Sequence, residues 1–240
     1  MKKKIFRIIL IIFLIIVIAF FIKFVYNFRI INKIGKKIVD TYSLNNVYYE
    51  YKNIGKNTES SIRKRLNKKI YYELIIGENE GITKQTYYSD NENDICYYIP
   101  NDEKVLITDQ KAVVLHSSMD TRMPKTRAEV YCYQVYLGNM LYANSAYDFR
   151  NIRNKKIDNK DCYEITMKFD SYLEKTYFDK ETLLPIKTIK ENTKNNNILE
   201  WNIIIKENVV TEEEVIAPEE YPKMTLSEYY EYIRQKDIDS

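Results

Sequence analysis

Residues able to do chemistry are few in this chain and poorly placed for it. The single histidine of the 240 residues, His116, lies in the turn-like stretch His116-Ser117-Ser118. Cys96, Cys132 and Cys162 are too widely spaced to form a zinc motif, and one histidine cannot complete it. A serine or cysteine nucleophile therefore has no evident base. The Gly-rich phosphate loop, the H-E-x-x-H helix and the G-x-S-x-G elbow are all missing. Carboxylate pairs can be drawn, for instance Glu50 with Glu73 across two strands, but 34 acidic residues produce such pairs by chance. The expectation is a protein that binds rather than catalyses, with no metal or cofactor and no catalytic residue to name; the sequence also leaves its ligand-binding residues unassigned. In an oxidising space two cysteines could join and leave one thiol over. Three separate buried thiols is the favoured alternative.

The remaining chemical resource is aromatic. There are 23 tyrosines, and a tyrosine in a strand is most often half-buried with its hydroxyl in water. Trp201, beside Ile203 and Ile205, reads as core.

Ile8 to Ile22 consists of nothing but Ile, Leu, Val, Phe and Ala. At ~1.5 Å per residue it covers about 22 Å, and Ile5, Phe6 and Phe24 to Tyr26 extend it towards the ~30 Å hydrocarbon core. Lys2, Lys3, Lys4 and Arg7 precede it, as they would in a secretory signal, yet no small-residue cleavage site follows Ala19. Residues 1–27 are expected to be an uncleaved signal anchor with a short cytoplasmic tail. The dense N-terminal charge cluster places residues 28–240 outside the cytoplasm, as one β-rich domain of a single-pass cell-membrane protein.

Charge agrees with a division there. Residues 1–30 carry six bases and no acid, leaving 31 bases against 34 acids in the remainder. The net +3 therefore belongs to the anchor and gives no reason to expect nucleic-acid binding.

Beyond the apolar run, Ile31, Ile34, Ile38 and Tyr42 recur at helical spacing and predict a helix over 28–43, with Gly35 as a bend. Short segments rich in Tyr, Ile, Val and Thr then predict strands over 46–54, 62–76, 82–89, 94–100 and 104–116. Thr126-Arg127-Ala128-Glu129 has the form of a capping box and opens a predicted helix over 127–142. Strands resume at 147–153, 161–169, 172–179, 184–191 and 197–206. A second capping box, Thr225-Leu226-Ser227-Glu228, opens a helix over 226–235.

The order of these pieces resembles a known family. Tyr87-Tyr88-Ser89-Asp90 leading into Ile95-Cys96-Tyr97-Tyr98-Ile99-Pro100 is similar to paired strands of the outer-membrane lipoprotein-carrier (LolA-like) superfamily. So are Lys160-Asp161-Cys162-Tyr163-Glu164-Ile165 and the hairpin Tyr177-Phe178-Asp179-Lys180-Glu181-Thr182-Leu183-Leu184-Pro185. Asn208-Val209-Val210-Thr211 with Pro218 resembles that family's exit from the last strand. The likeness covers about residues 45–220, and the anchor is a departure from it. Joined to the N-terminal transmembrane helix read from the apolar run, it implies an α+β fold: a curved antiparallel sheet forming an incomplete, half-open barrel with covering helices. It also implies a hollow that takes acyl chains or apolar protein segments. The function expected is a membrane-anchored extracytoplasmic binding protein for a lipid, lipoprotein or other apolar ligand. The alternative is a regulatory or structural ectodomain that recognises a protein partner, for which the acidic stretch 211–240 offers nine acids against three bases.

Overall fold

The computed structural model describes residues 2–55, 59–78, 81–93, 95–101, 103–109, 125–139 and 147–238. His116, Leu141 and most of the strand expected over 104–116 lie outside these residues. The fold is α+β, built on an open, curved and mostly antiparallel sheet.

Helix α1, Lys2–Ser43, is continuous and changes character along its length. Ile5 to Lys23 are exposed throughout, and this helix is long and apolar enough to cross a membrane. From Asn27 onward one face is buried: Ile30, Ile31, Ile34, Ile38 and Tyr42 form the centre of the hydrophobic core. Gly35 lies within this unbroken helix. It is the point of closest approach to the second helix, where a Cβ would run into the backbone carbonyl of Cys132 and the Cβ of Tyr136. Glycine is there so that two helices can touch backbone to backbone. Arg65 caps the far end of α1, its guanidinium donating to the carbonyls of Tyr42, Ser43 and Leu44. These are the last carbonyls of the helix, which have no intrahelical partner.

The described strands are β1 Asn46–Asn53, β2 Ser60–Leu66, β3 Lys69–Glu78, β4 Gly81–Asp90, β5 Ile95–Pro100, β6 Leu106–Ile107, β7 Tyr147–Ile157, β8 Lys160–Lys168, β9 Tyr172–Asp179, β10 Pro185–Asn192, β11 Ile198–Glu207 and β12 Lys223–Met224. They form one sheet in the order β12-β6-β5-β4-β3-β2-β1-β11-β10-β9-β8-β7. All pairs are antiparallel except β12 with β6. Two expectations are corrected here. The single strand over 62–76 is a hairpin, broken at Asn67, whose φ of 55° is a left-handed conformation that Asn tolerates. The strand expected over 147–153 runs on to Ile157 and turns through Asp158 and Asn159, both at positive φ, as a two-residue hairpin loop requires.

Helix α2, Arg127–Tyr136, forms the capping box written in its sequence: Glu129 N donates to Thr126 Oγ1 at 3.1 Å, and Thr126 N donates to Glu129 Oε2 at 2.8 Å. The helix ends before Gly138, whose φ of +80° closes it, rather than at residue 142. Helix α3, Leu226–Ile238, opens on its own capping box, Thr225 with Glu228.

Helix α1 crosses the strands rather than following them. Tyr42 meets Tyr49 of β1, Lys37 and Thr41 bond Glu207 of β11, and Tyr26 lies beside Tyr163 of β8 where the helix reaches β7. From Tyr42 to Tyr26 is about 24 Å of helix axis at ~1.5 Å per residue. The strands from β1 to β8 span about 19 Å at ~4.8 Å each. The helix thus covers half of one sheet face, hereafter the inner face, and leaves past β7, the last strand of the sheet.

Candidate functional site

Under α1 and α2 the inner face is filled. Tyr49, Ile152, Ile165, Phe178 and Ile203 pack against the helices, and all are at most one-tenth exposed. Two carboxylates are buried at the N-terminus of α2. Glu174 accepts from the Arg127 amide at 2.7 Å, and Glu129 accepts from the hydroxyl of Tyr42 at 2.8 Å as well as from Thr126. Burial pushes Glu129 up to about 7 and also raises Glu174. Glu129 and Glu174 Oε1 satisfy free amides of the helix, which gives the pair a structural role, while Glu174 Oε2 lies buried 3.8 Å from Lys190 Nζ without a hydrogen bond.

The other half of the inner face, over β2 to β5, is built differently. The register sets Tyr49, Arg63, Tyr72, Tyr87 and Tyr98 side by side across five strands. The rings stack: Tyr72 and Tyr87 lie 6.0 Å apart between centroids, and Tyr87 and Tyr98 4.8 Å. The Arg63 guanidinium sits 4.8 Å from the Tyr72 centroid. Ile70, Leu74 and Cys96 complete a small apolar cluster around this row. Burial grades along it, from Tyr72 and Arg63, buried, to Tyr87 and Tyr98, half-buried. Burial also lifts Tyr87 to about 12, which keeps its hydroxyl a hydrogen-bond donor at any physiological pH.

Arg63 is the unusual member. It is 7% exposed, and its Nε and Nη1 are buried without a hydrogen-bond partner. Among the described residues no carboxylate lies within salt-bridge distance of it. A guanidinium is always charged, and a buried charge is tolerated when paired. Aromatic stacking supplies part of that compensation but none of the hydrogen bonds. The arrangement is a row of flat apolar surfaces that ends on a fixed cation with two unused donors. It can hold an anionic group at one end and an apolar chain along its length.

A matching row occupies the outer face. Tyr48, Lys64, Tyr71, Tyr88 and Tyr97 are register partners, and the cations Lys206, Lys64 and Lys223 lie over Tyr48, Tyr71 and Tyr97. The returning chain covers part of this row: Lys64 and Lys69 pair with Glu214 and Glu212, and Val215 to Ala217 close a pocket of 170 Å³ against Tyr88 and Tyr97. Glu50 and Glu73 also fall on this face, either side of Ile62, and line a pocket of 160 Å³. Each already accepts from a tyrosine hydroxyl, Glu50 from Tyr48 and Glu73 from Tyr71, and Glu73 meets Lys84 at 3.2 Å. The paired carboxylates are thus brought near one another and held in local bonds.

Cys96, Cys132 and Cys162 are separate buried thiols on β5, α2 and β8. Trp201 is core: it stacks on Tyr51 at 5.4 Å and donates its Nε1 hydrogen to the Glu59 carbonyl at 3.0 Å. Arg63 and the tyrosine row escaped the sequence reading, although a signal was present. Tyr-Tyr pairs recur at 48–49, 71–72, 87–88 and 97–98, in four of the five strands concerned, with Arg63-Lys64 in the fifth. A pair in a strand places one ring on each face, so four such pairs in register build both rows.

No family model matches this chain, and no curated protein does. Among solved structures it is similar to an uncharacterized conserved protein from Thermus thermophilus, at 7% identity over 80% of this chain and 96% of that one, with a TM-score of 0.43. It is similar to the MucA/MucB complex of Pseudomonas aeruginosa at 12% identity over 78% of this chain, with a TM-score of 0.34, and spans 61% of that chain. A DUF1329 family protein from Desulfovibrio piger matches at 10% identity over 76% of this chain and 94% of that one, with a TM-score of 0.30. Likeness at this level bears on neither family nor function.

Proposed function

We propose that this chain is a membrane-tethered, non-catalytic binding protein of LolA-like build, held by α1 with its sheet domain outside the cytoplasm. Its ligand is an amphiphile with an acidic group, such as a lipid or the acyl part of a lipoprotein. The acidic group meets Arg63, and the apolar part lies along Tyr72, Tyr87 and Tyr98. One observation carries this reading: the buried guanidinium of Arg63, with Nε and Nη1 unpaired at the closed end of a stacked aromatic row. A core has no use for an unpaired cation, since an apolar residue of the same volume would be more stable there. A ligand site does, because the donors are satisfied when the ligand arrives.

The test compares lipids that copurify with the full chain and with the Arg63→Met variant, both taken from the same membranes into the same detergent and read by native mass spectrometry. Lipids around the anchor are common to both. A specific anionic lipid present in the wild type and lost from the variant is the expected result; identical lipid profiles would refute the proposal. A protein ligand is the second reading, favoured by Tyr230 and Tyr232, which α3 leaves exposed. It predicts capture of a polypeptide, and no lipid difference, in the same comparison.

A further inference from the structure

The last strand of the sheet lies where α1 leaves the domain, and it is basic. Tyr26, four residues past the apolar run, lies beside Tyr163 of β8, and α1 contacts β7, on which Asn154 is the register partner of Tyr163. Arg153 and Lys155 flank Asn154 on the opposite face of the strand and Lys156 follows on the same face, so all three lie within about 7 Å along the strand of the point where α1 crosses it. All are exposed, and among the described residues none forms a salt bridge. Lys180 is at the same corner, 5.2 Å from the Tyr163 ring, and Lys23 ends the exposed stretch of the helix. Helix α1 passes from exposed apolar surface to core within Lys23 to Asn27, about one turn. No slack remains between the apolar run and the domain. If α1 spans a bilayer, β7 is held edge-on at headgroup depth.

We infer that the β7 edge, through Arg153, Lys155 and Lys156, binds the headgroups of anionic phospholipids in the bilayer that α1 crosses. This rests on the reading of α1 as a membrane span and is independent of the Arg63 ligand. Lysines on an edge strand also discourage pairing with other chains, a role indifferent to lipid. Lipid dependence is therefore the discriminating property, since a basic cluster near a surface is attracted by its negative potential and not by a neutral one.

Hydrogen exchange on the full chain in nanodiscs reads both points. Discs of phosphatidylcholine alone are compared with discs in which part of it is replaced by phosphatidylglycerol. In the anionic discs the amides of 153–157 should exchange about tenfold more slowly. The variant R153Q/K155Q/K156Q should lose that difference while β9 keeps its protection, which shows an intact fold. Equal exchange in the two discs, or a difference that survives in the triple variant, overturns the inference. Free exchange of amides 8–22 in both discs would mean that α1 is not embedded, and would overturn the span reading together with the inference.

Discussion

Arg63 is the residue where stability and function pull apart, and that opposition can be measured. Replacing it with Met keeps the length and the contact with Tyr72 while removing a buried charge. On delipidated protein the Arg63→Met change should raise the melting temperature by a few degrees, a gain of about 1–3 kcal/mol, even as ligand binding is lost. A drop in stability on removing the guanidinium would show that it is satisfied within the fold. Glu129 makes a different prediction. Burial raises its pKa to about 7 from an ordinary 4.5, so the folded chain holds this proton more tightly than the unfolded one. Its contribution is complete below pH 4.5 and is lost as pH rises through 7, by about 3 kcal/mol in total. Denaturant titrations should show that decline, and Glu129→Gln, whose oxygen can still accept from the Thr126 amide while its NH2 donates to the Tyr42 hydroxyl oxygen, should flatten it. Glu207 works in the opposite sense. Although partial burial pushes it up, hydrogen bonds from Lys37 and Thr41 hold it below the usual range, so its contribution is lost as pH falls. The recurring Tyr-Tyr pairs hint at the row, but the setting of Arg63 is hidden because 62–76 looks like one strand. The turn at Asn67 reverses the chain, and only that reversal puts Arg63 opposite Tyr72.

Among the elements, α1 carries the strongest expectations. Its C-terminal half supplies the centre of the core, so a chain beginning at Lys23 should fold and one beginning at Leu44 should not, as far-UV circular dichroism and proteolysis would show. Folding of the shorter chain would mean that α1 is an accessory to the domain. Gly35→Ala adds a methyl group where two helix backbones meet. Its helix-propensity gain of about 1 kcal/mol is outweighed by overpacking, for a net loss of about 1–2 kcal/mol. The apolar face of Ile31, Ile34, Ile38 and Tyr42 was legible because helical periodicity survives any tertiary context. The close contact at Gly35 was not, since it depends on where α2 lies. The end of α2 was misjudged for a local reason: Gly138 stops the helix, while Leu137 and Leu141 keep its apolar spacing going on paper.

At the scale of the whole molecule, one continuous helix carries both the exposed apolar run and the centre of the core, so if that run spans a bilayer the sheet is held directly against it. Ile15→Asp should release the chain from membranes, since a charge at the bilayer centre costs about 2.5–3.5 kcal/mol on insertion scales; cell fractionation reads the outcome. The succession of hairpins was visible in the alternation of apolar and turn residues. The division of the inner face into a filled half and an aromatic half was not, because it arises from α1 crossing the strands from β7 to β1 and stopping there. On the proposed function, that division leaves the aromatic half open to a ligand. Its most direct test is the paired native mass spectrum of the full-length wild type and Arg63→Met chains. The wild type should carry a bound anionic amphiphile that the variant lacks, and indistinguishable spectra for the two would contradict a ligand site at Arg63.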